Sequence, residues 1–325
     1  MSQRILLTGS SGTVGTALTQ RLLAQGHKVV PLDIRKSFWD PKIDRKTVRC
    51  DLRKPIKDIR LVGKKFDLIM HLAANARVHD LVVKPDMSRD NYLMVHNLLE
   101  YARSIGCRRF VFSSSREVYG DSVRDQKRKE NSTHVSAIKA PYTASKFAAE
   151  AMIHAYRECY GIDFVIARLS NVYGMYDVSE RVIPLFLYYA LRDRTLTIFG
   201  KEKKLDFTYI DDCIDGLEAI VERFDRVCGN TFNICGGKGE RLLDLAKYIV
   251  AELDSDSRIE VSSRRTGEIS TFVGDLSLSR RKLGYKPRTR LIEGVARTAE
   301  WYREVIKSRP IRDWQRRNLA GRGWA

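Results

Sequence analysis

The chain has 325 residues, 43% of them apolar and 30% charged, which describes an ordinary folded protein with room for one large or two modest domains. No apolar stretch approaches the ~18 residues of a membrane span, and the N-terminus runs straight into a strand-like Arg4–Thr8 without a signal peptide's layout, so a cytoplasmic location with no membrane partner is expected. Six cysteines without C-x-x-C pairs and six histidines without ligand spacing point away from a metal site, and the net charge of +18 is dispersed in clusters without interleaved aromatics, which reads as a solvated basic surface rather than a nucleic-acid face.

From the N-terminus onward, short β-branched runs alternate with helical patterns, as in a parallel sheet wrapped by helices. The strand Arg4–Thr8 leads into Thr8-Gly9-Ser10-Ser11-Gly12-Thr13-Val14-Gly15 and a helix over Thr13–Gln25. Those glycines permit a tight turn, close approach to a pyrophosphate and close helix–strand packing, and the helix N-terminus favours the anion. A second strand, Lys28–Asp33, ends on a carboxylate that suits adenosine ribose hydroxyls and repels a 2′-phosphate, which favours NAD; Arg35 keeps NADP open. Further strands are expected at Thr47–Cys50, Asp67–Leu72, Arg109–Ser113 and Asp163–Leu169, with helices at Asn91–Ile105 and Tyr142–Tyr160. After Asn171 the rhythm loosens. Ile183–Arg192 reads as helix and Leu196–Phe199 as strand, and Asp211 or Asp212 can cap a helix running to Arg223. A strand at Thr231–Cys235 precedes helices near Arg241–Leu253, Ser277–Leu283 and Leu291–Ile306.

Of the fourteen tyrosines, only Tyr142 has a lysine four residues on, at Lys146. On a helix this spacing puts both heads on one face, where the ammonium lowers the phenol from about 10 towards working pH and makes it a usable general base. The hydroxyl cluster Ser113-Ser114-Ser115 lies between the glycine loop and this pair.

The glycine spacing, followed by His71-Leu72-Ala73-Ala74, the three serines, Tyr142-x-x-x-Lys146 and Arg168-Leu169-Ser170-Asn171-Val172-Tyr173-Gly174, resembles the extended short-chain dehydrogenase/reductases, in their branch of nucleotide-sugar epimerases and dehydratases. The likeness continues through Arg181-Val182-Ile183-Pro184, Asp206-Phe207-Thr208-Tyr209 and Arg265-Thr266-Gly267-Glu268, and covers roughly 4–306. It implies an α/β fold: a doubly wound, Rossmann-like parallel sheet over 1–172, rejoined by about 207–235, with a smaller α+β substrate domain over 173–306 and a basic extension at 307–325. It implies that Gly9, Gly12, Thr13, Val14, Gly15 and Asp33 hold NAD, with Asp51 and Leu52 beside the adenine, and Leu72, Ala73, Ala74 and Ser113 towards the nicotinamide. Tyr142 is then the base that takes a proton from a sugar hydroxyl, Lys146 holds the cofactor ribose and Ser115 steadies the reacting oxygen. Asn171, Arg181 and Arg265 are implied to contact a nucleotide-diphosphate sugar, and a homodimer is implied through the helices Asn91–Ile105 and Tyr142–Tyr160.

The chain departs from that pattern at two places. In Ser115-Arg116-Glu117 an arginine stands where dehydratases of one type carry the aspartate that protonates departing water. Glu117 suits a base at C5, and Arg116 is either a group for a substrate carboxylate or a solvent-facing salt-bridge partner. In Lys203-Lys204-Leu205-Asp206, leucine replaces a phosphate-gripping arginine, with Lys203, Lys204 or Arg265 as possible substitutes. The expected function is an NAD-dependent nucleotide-sugar 4-epimerase working through a 4-keto intermediate. A decarboxylase or dehydratase using Glu117 is the alternative, and an RNA-binding or scaffold role on the same fold is the more distant one.

Overall fold

β-branched runs that are apolar on both faces need helices on both sides, and the chain supplies them. The computed structural model describes residues 2–305 except 59, 60, 62, 63 and 123–125; the extension at 307–325 lies outside the described residues. Six strands, β1 (Arg4–Thr8), β2 (Lys28–Asp33), β3 (Val48–Arg49), β4 (Leu68–His71), β5 (Arg109–Ser115) and β6 (Asp163–Leu169), are joined by Asn230–Ile234 in one seven-stranded sheet. The order is Asn230–Ile234, β6, β5, β4, β1, β2, β3, and every pairing is parallel. The chain travels outward from β1 to β3 and then returns to β4, so the order reverses between β1 and β4. A crevice opens there, above the carboxyl ends of the strands.

The register of β1 shows how the sheet sorts its side chains. Ile5 and Leu7 enter one core, with Leu18 and Leu22 of α1 (Thr13–Ala24) and Leu217 of the helix Ile210–Val227. Leu6 enters the other, with Leu98 and Ile153 of the long helices on that face. Two short helices, α2 (Pro41–Lys46) and α3 (Val78–Val83), precede α4 (Asp86–Ser104) and α5 (Pro141–Tyr160). α4 starts five residues before the expected Asn91, because Pro85, with its fixed φ of −64°, stands at the N-cap. α5 opens with Pro141 in its first turn and closes on Gly161 in the left-handed region at φ 64°.

Against this sheet pack the helices Val182–Ala190, Leu242–Glu252 and Leu291–Val305, with two small ladders, Leu196–Phe199 on Ile259–Ser262 and Lys204–Asp206 on Gly239–Arg241. The expectation that Asp211 or Asp212 caps the helix Ile210–Val227 is corrected. Thr208–Tyr209 pairs with Val172–Tyr173 and delivers the chain directly into a helix at Ile210, with Tyr209 at the cap. Asp212 instead accepts the Arg288 and Thr289 N–H groups, at 2.8 and 3.0 Å.

Asp206 is fully buried and binds this half together. Its carboxylate accepts the N–H groups of Gly236, Gly237 and Gly274 at 2.8, 2.9 and 3.1 Å. Its carbonyl receives the Ser170 hydroxyl at 2.6 Å and the Asn171 amide at 2.7 Å. Burial pushes the carboxyl up to about 6, against the pull of the three N–H donors. Asp206→Ala leaves those three N–H groups without an acceptor and is expected to lower the unfolding free energy by more than about 3 kcal/mol in urea denaturation; a loss below about 1 kcal/mol would show that the clamp is dispensable.

Candidate active site

The glycine loop fills the turn between β1 and α1 and leaves no room for side chains. Gly9 has φ +72°, and a Cβ there would lie 2.7 Å from the Ala73 nitrogen. A Cβ on Gly15 would collide with the Gly9 carbonyl, whereas one on Gly12 would meet only that carbonyl, at 3.3 Å. Gly12 stands at the N-cap, and α1 starts at Thr13 with no side chain capping it. Its first-turn N–H groups are left for an anion. Asp33, buried at the end of β2, accepts the Ser11 N–H at 2.9 Å and the Arg35 N–H at 2.8 Å, so it fixes the loop while retaining acceptor capacity for a ribose. Arg35 is thus tied through its backbone, beside the carboxylate that disfavours a 2′-phosphate. These residues fit a dinucleotide, and they fit NAD.

Further along the same edge, Asp51 is held by Arg53 in a bidentate pair that keeps its carboxyl below the usual range, and buried Leu52 accepts the Asn97 amide through its carbonyl at 2.8 Å. Ala73 donates to the Thr8 hydroxyl at 3.3 Å. None of Gly9, Gly12, Thr13, Gly15, Asp33, Asp51, Leu52 and Ala73 lines the main cavity. Val14, Leu72, Ala74 and Ser113 do line it, a cavity of about 300 Å³.

Tyr142, Lys146 and Ser115 meet in that cavity and are all buried. Lys146 donates to the Ser113 carbonyl at 2.8 Å and lies 4.7 Å from the centre of the Phe112 ring. Burial lowers its ammonium to about 8, with Glu150 pulling the other way. Ser115 stands close enough to the Tyr142 phenol to favour its ionised form, and it accepts the Glu117 N–H at 3.2 Å. The phenol differs from the expectation. Burial pushes it up rather than down, and the groups that oppose this are the Ser115 hydroxyl and the guanidiniums of Arg181 and Arg116, while the Lys146 ammonium turns to Ser113. His71, fully buried against the Thr8 hydroxyl at 2.7 Å, is lowered to about 3 by burial and stays neutral.

The far wall carries charge. Arg116 pairs with Glu117 at 2.8 Å; both are buried, so Arg116 is not solvent-facing. Burial raises the Glu117 carboxyl, and Arg116 opposes this. Asn171 and Arg181 line the cavity, Asn171 with its amide nitrogen on the Asp206 carbonyl. Leu205 lies buried in the wall, and Lys203 and Arg265 flank it, sharing Glu268 at 2.5 and 3.7 Å. Arg265 also lies over Phe199 at 3.7 Å. Lys204 pairs along the Gly239–Arg241 ladder and is absent from the cavity wall. Glu268 closes the run Arg265-Thr266-Gly267-Glu268, where the sequence by itself assigns it no role. Arg77 and Glu180, an ion pair on the same wall, gave no sequence signal, because their meeting depends on the fold.

A strand-order reversal that presents an open helix N-terminus on one side and a tyrosine–lysine pair on the other defines an extended short-chain dehydrogenase/reductase. The chain belongs to the NAD dependent epimerase/dehydratase family, whose sequence model matches residues 5–235, and NAD is that family's cofactor. Among relatives, it is 29% identical over 321 residues to a trifunctional UDP-glucose 4,6-dehydratase/UDP-4-keto-6-deoxy-D-glucose 3,5-epimerase/UDP-4-keto-L-rhamnose-reductase of Arabidopsis thaliana, covering 93% of this chain and 47% of the relative. The chain thus spans about half the length of the first curated relatives it matches. Among solved structures, UDP-glucose 4-epimerase of Thermotoga maritima, with UDP-glucose, superimposes with a TM-score of 0.84 at 26% identity, covering 94% of this chain and 100% of that one. UDP-glucuronic acid 4-epimerase of Bacillus cereus, in complex with UDP-glucuronic acid and NAD, gives 0.85 at 25% identity, covering 93% and 99%. No helix among the described residues is long and apolar enough to cross a membrane.

A lysine whose folded pKa, about 8, lies below its ordinary 10.5 carries a stability cost for its charged form. The cost is complete below about 8 and is relieved as pH rises towards 10.5. Lys146→Met removes it, so the stability of the variant minus that of the parent is expected to fall by about 2–3 kcal/mol between pH 7 and 10 in denaturant titrations. A difference independent of pH would contradict the buried ammonium.

Proposed function

We propose that the protein is an NAD-dependent nucleotide-sugar 4-epimerase. The observation that carries this is the buried Ser115–Tyr142–Lys146 set gathered in one cavity wall. When bound, NAD supplies a hydride acceptor at its nicotinamide. Tyr142 takes the proton from the C4 hydroxyl, helped by Arg116 and Arg181, whose positive charges favour the phenolate. Ser115 holds the same oxygen as it becomes a ketone, and Lys146 offers its ammonium to the cofactor ribose. Lys203 and Arg265 take the substrate's diphosphate in place of an arginine at 205. The substrate lobe comprises 173–306, with about 207–235 returning to the sheet, and the assembly is a homodimer through α4 and α5, which lie side by side and expose Tyr92 and Tyr160.

One observation favours a second reading. Glu117 Oε2 has no hydrogen-bond partner and its carboxyl is raised by burial, which suits proton transfer at C5 and hence decarboxylation or dehydration. Against it, the other oxygen of Glu117 is engaged by Arg116, and no acid stands at 116. Incubating the protein with UDP-glucose, UDP-galactose, UDP-glucuronate and UDP-N-acetylhexosamines is expected to give a product of unchanged mass inverted at C4; loss of water or carbon dioxide would favour Glu117 chemistry. Tyr142→Phe is expected to lower turnover at least about 10³-fold while retaining the fold and bound NAD, and parent-like turnover would overturn the mechanism.

A further inference from the structure

Arg116 is buried in the cavity wall, 9% exposed, immediately after Ser115. Its Nη2 pairs with Glu117 at 2.8 Å, and its guanidinium lies 5.7 Å from the centre of the Phe272 ring. Its Nη1 is buried with no hydrogen-bond partner. An unmatched donor on a buried cation is among the more costly defects a folded protein can hold, and an anion on the cavity side removes it. Glu117 Oε2 is an equally unmatched buried acceptor. The wall therefore offers an unmatched charged donor and an unmatched acceptor side by side, next to the hydroxyl that holds the reacting oxygen.

We infer that Arg116 forms a carboxylate subsite and that the sugar this protein takes is a uronate, with a carboxylate on C5 where a neutral hexose has a hydroxymethyl group. The inference rests on the nucleotide-sugar reading above and names its substrate class. Lys203 and Arg265, which share Glu268, remain for the diphosphate, while the Arg116 guanidinium acts on the Tyr142 phenol and so borders the reacting sugar. Bound there, the carboxylate accepts from Nη1, and a neighbouring ring hydroxyl donates to Glu117 Oε2. Arg116 stays between the two carboxylates and screens their repulsion. Arg181 adds a second positive charge on this side, since it and Arg116 both act on the Tyr142 phenol. A hydroxymethyl group would leave the Nη1 donor without a charged partner, and a site built to bind a charged group discriminates strongly against an analogue lacking it.

The test measures the affinity of NAD-loaded protein for UDP-glucuronate and UDP-glucose by calorimetry, with product analysis on the same samples. The parent is expected to bind the uronate about 10- to 100-fold more tightly. In Arg116→Met that ratio is expected to fall to within about 3-fold. The double variant Arg116→Met/Glu117→Gln, which avoids leaving Glu117 as an uncompensated buried charge, is expected to show the same fall. Equal affinities in the parent, or a preference that survives in both variants, would overturn the subsite. Binding of neither sugar would overturn the subsite and the nucleotide-sugar reading together. Uronate preference with release of carbon dioxide would keep the subsite and overturn epimerisation, whereas inversion of UDP-glucose without uronate preference would do the reverse.

Discussion

A buried ammonium has to be held in place, and the site is built on how this one is held. Lys146 fastens α5 to the end of β5 through the Ser113 carbonyl at 2.8 Å. One turn further on, Glu150 grips Arg168 of β6 in a buried bidentate pair at 2.9 and 2.6 Å. Two consecutive turns of one helix are therefore joined to two adjacent strands, and Tyr142, one turn earlier, has little freedom left. Removing either partner of such a pair would leave an uncompensated buried charge, so the two groups hold each other in place. Here the pair fixes the phenol beside Ser115, at the end of the strand that Lys146 holds.

The two sides of the crevice are made of different material. The dinucleotide side is mostly backbone: the glycine turn, open N–H groups of α1 and a carboxylate locked by Ser11 and Arg35. The cavity side adds long charged side chains to an apolar wall, Arg116 on Glu117, Lys203 and Arg265 on Glu268, and Arg77 on Glu180. Backbone constraints tolerate little change, while ion pairs can be exchanged without moving the sheet. One cofactor chemistry can in this way serve different sugars on a shared scaffold.

The residues that were legible in the sequence are those governed by local rules. The glycine loop, the strands Arg4–Thr8 and Lys28–Asp33 and the pair Tyr142/Lys146 depend on turn geometry, β-branching and helical spacing, and the structure has them at those bounds. β5 was read two residues short, because Ser114 and Ser115 look like a strand's polar end. Their neighbours Arg168 and Leu169 continue the ladder, so the serines stay extended. Contacts between distant segments left no local signal. The Arg77–Glu180 pair, the sharing of Glu268 and the three N–H groups gathered by Asp206 arise only once the loops are folded over the sheet edge. The raised Tyr142 phenol belongs to the same group, since its burial depends on the whole cavity wall. Arg116 and Glu117 are adjacent in the 3₁₀ turn Arg116–Tyr119, where no spacing rule announces a pair, and they meet because both side chains are enclosed by the same cavity wall.

The central claim is that a hydride leaves and returns at C4 of a bound sugar while the chain's own groups move only the proton. Turnover of a nucleotide uronate carrying deuterium at C4 tests it most directly. The account predicts a product inverted at C4, unchanged in mass, with the deuterium retained on that carbon. Deuterium washed out into solvent, or a product lighter by carbon dioxide or water, would contradict it.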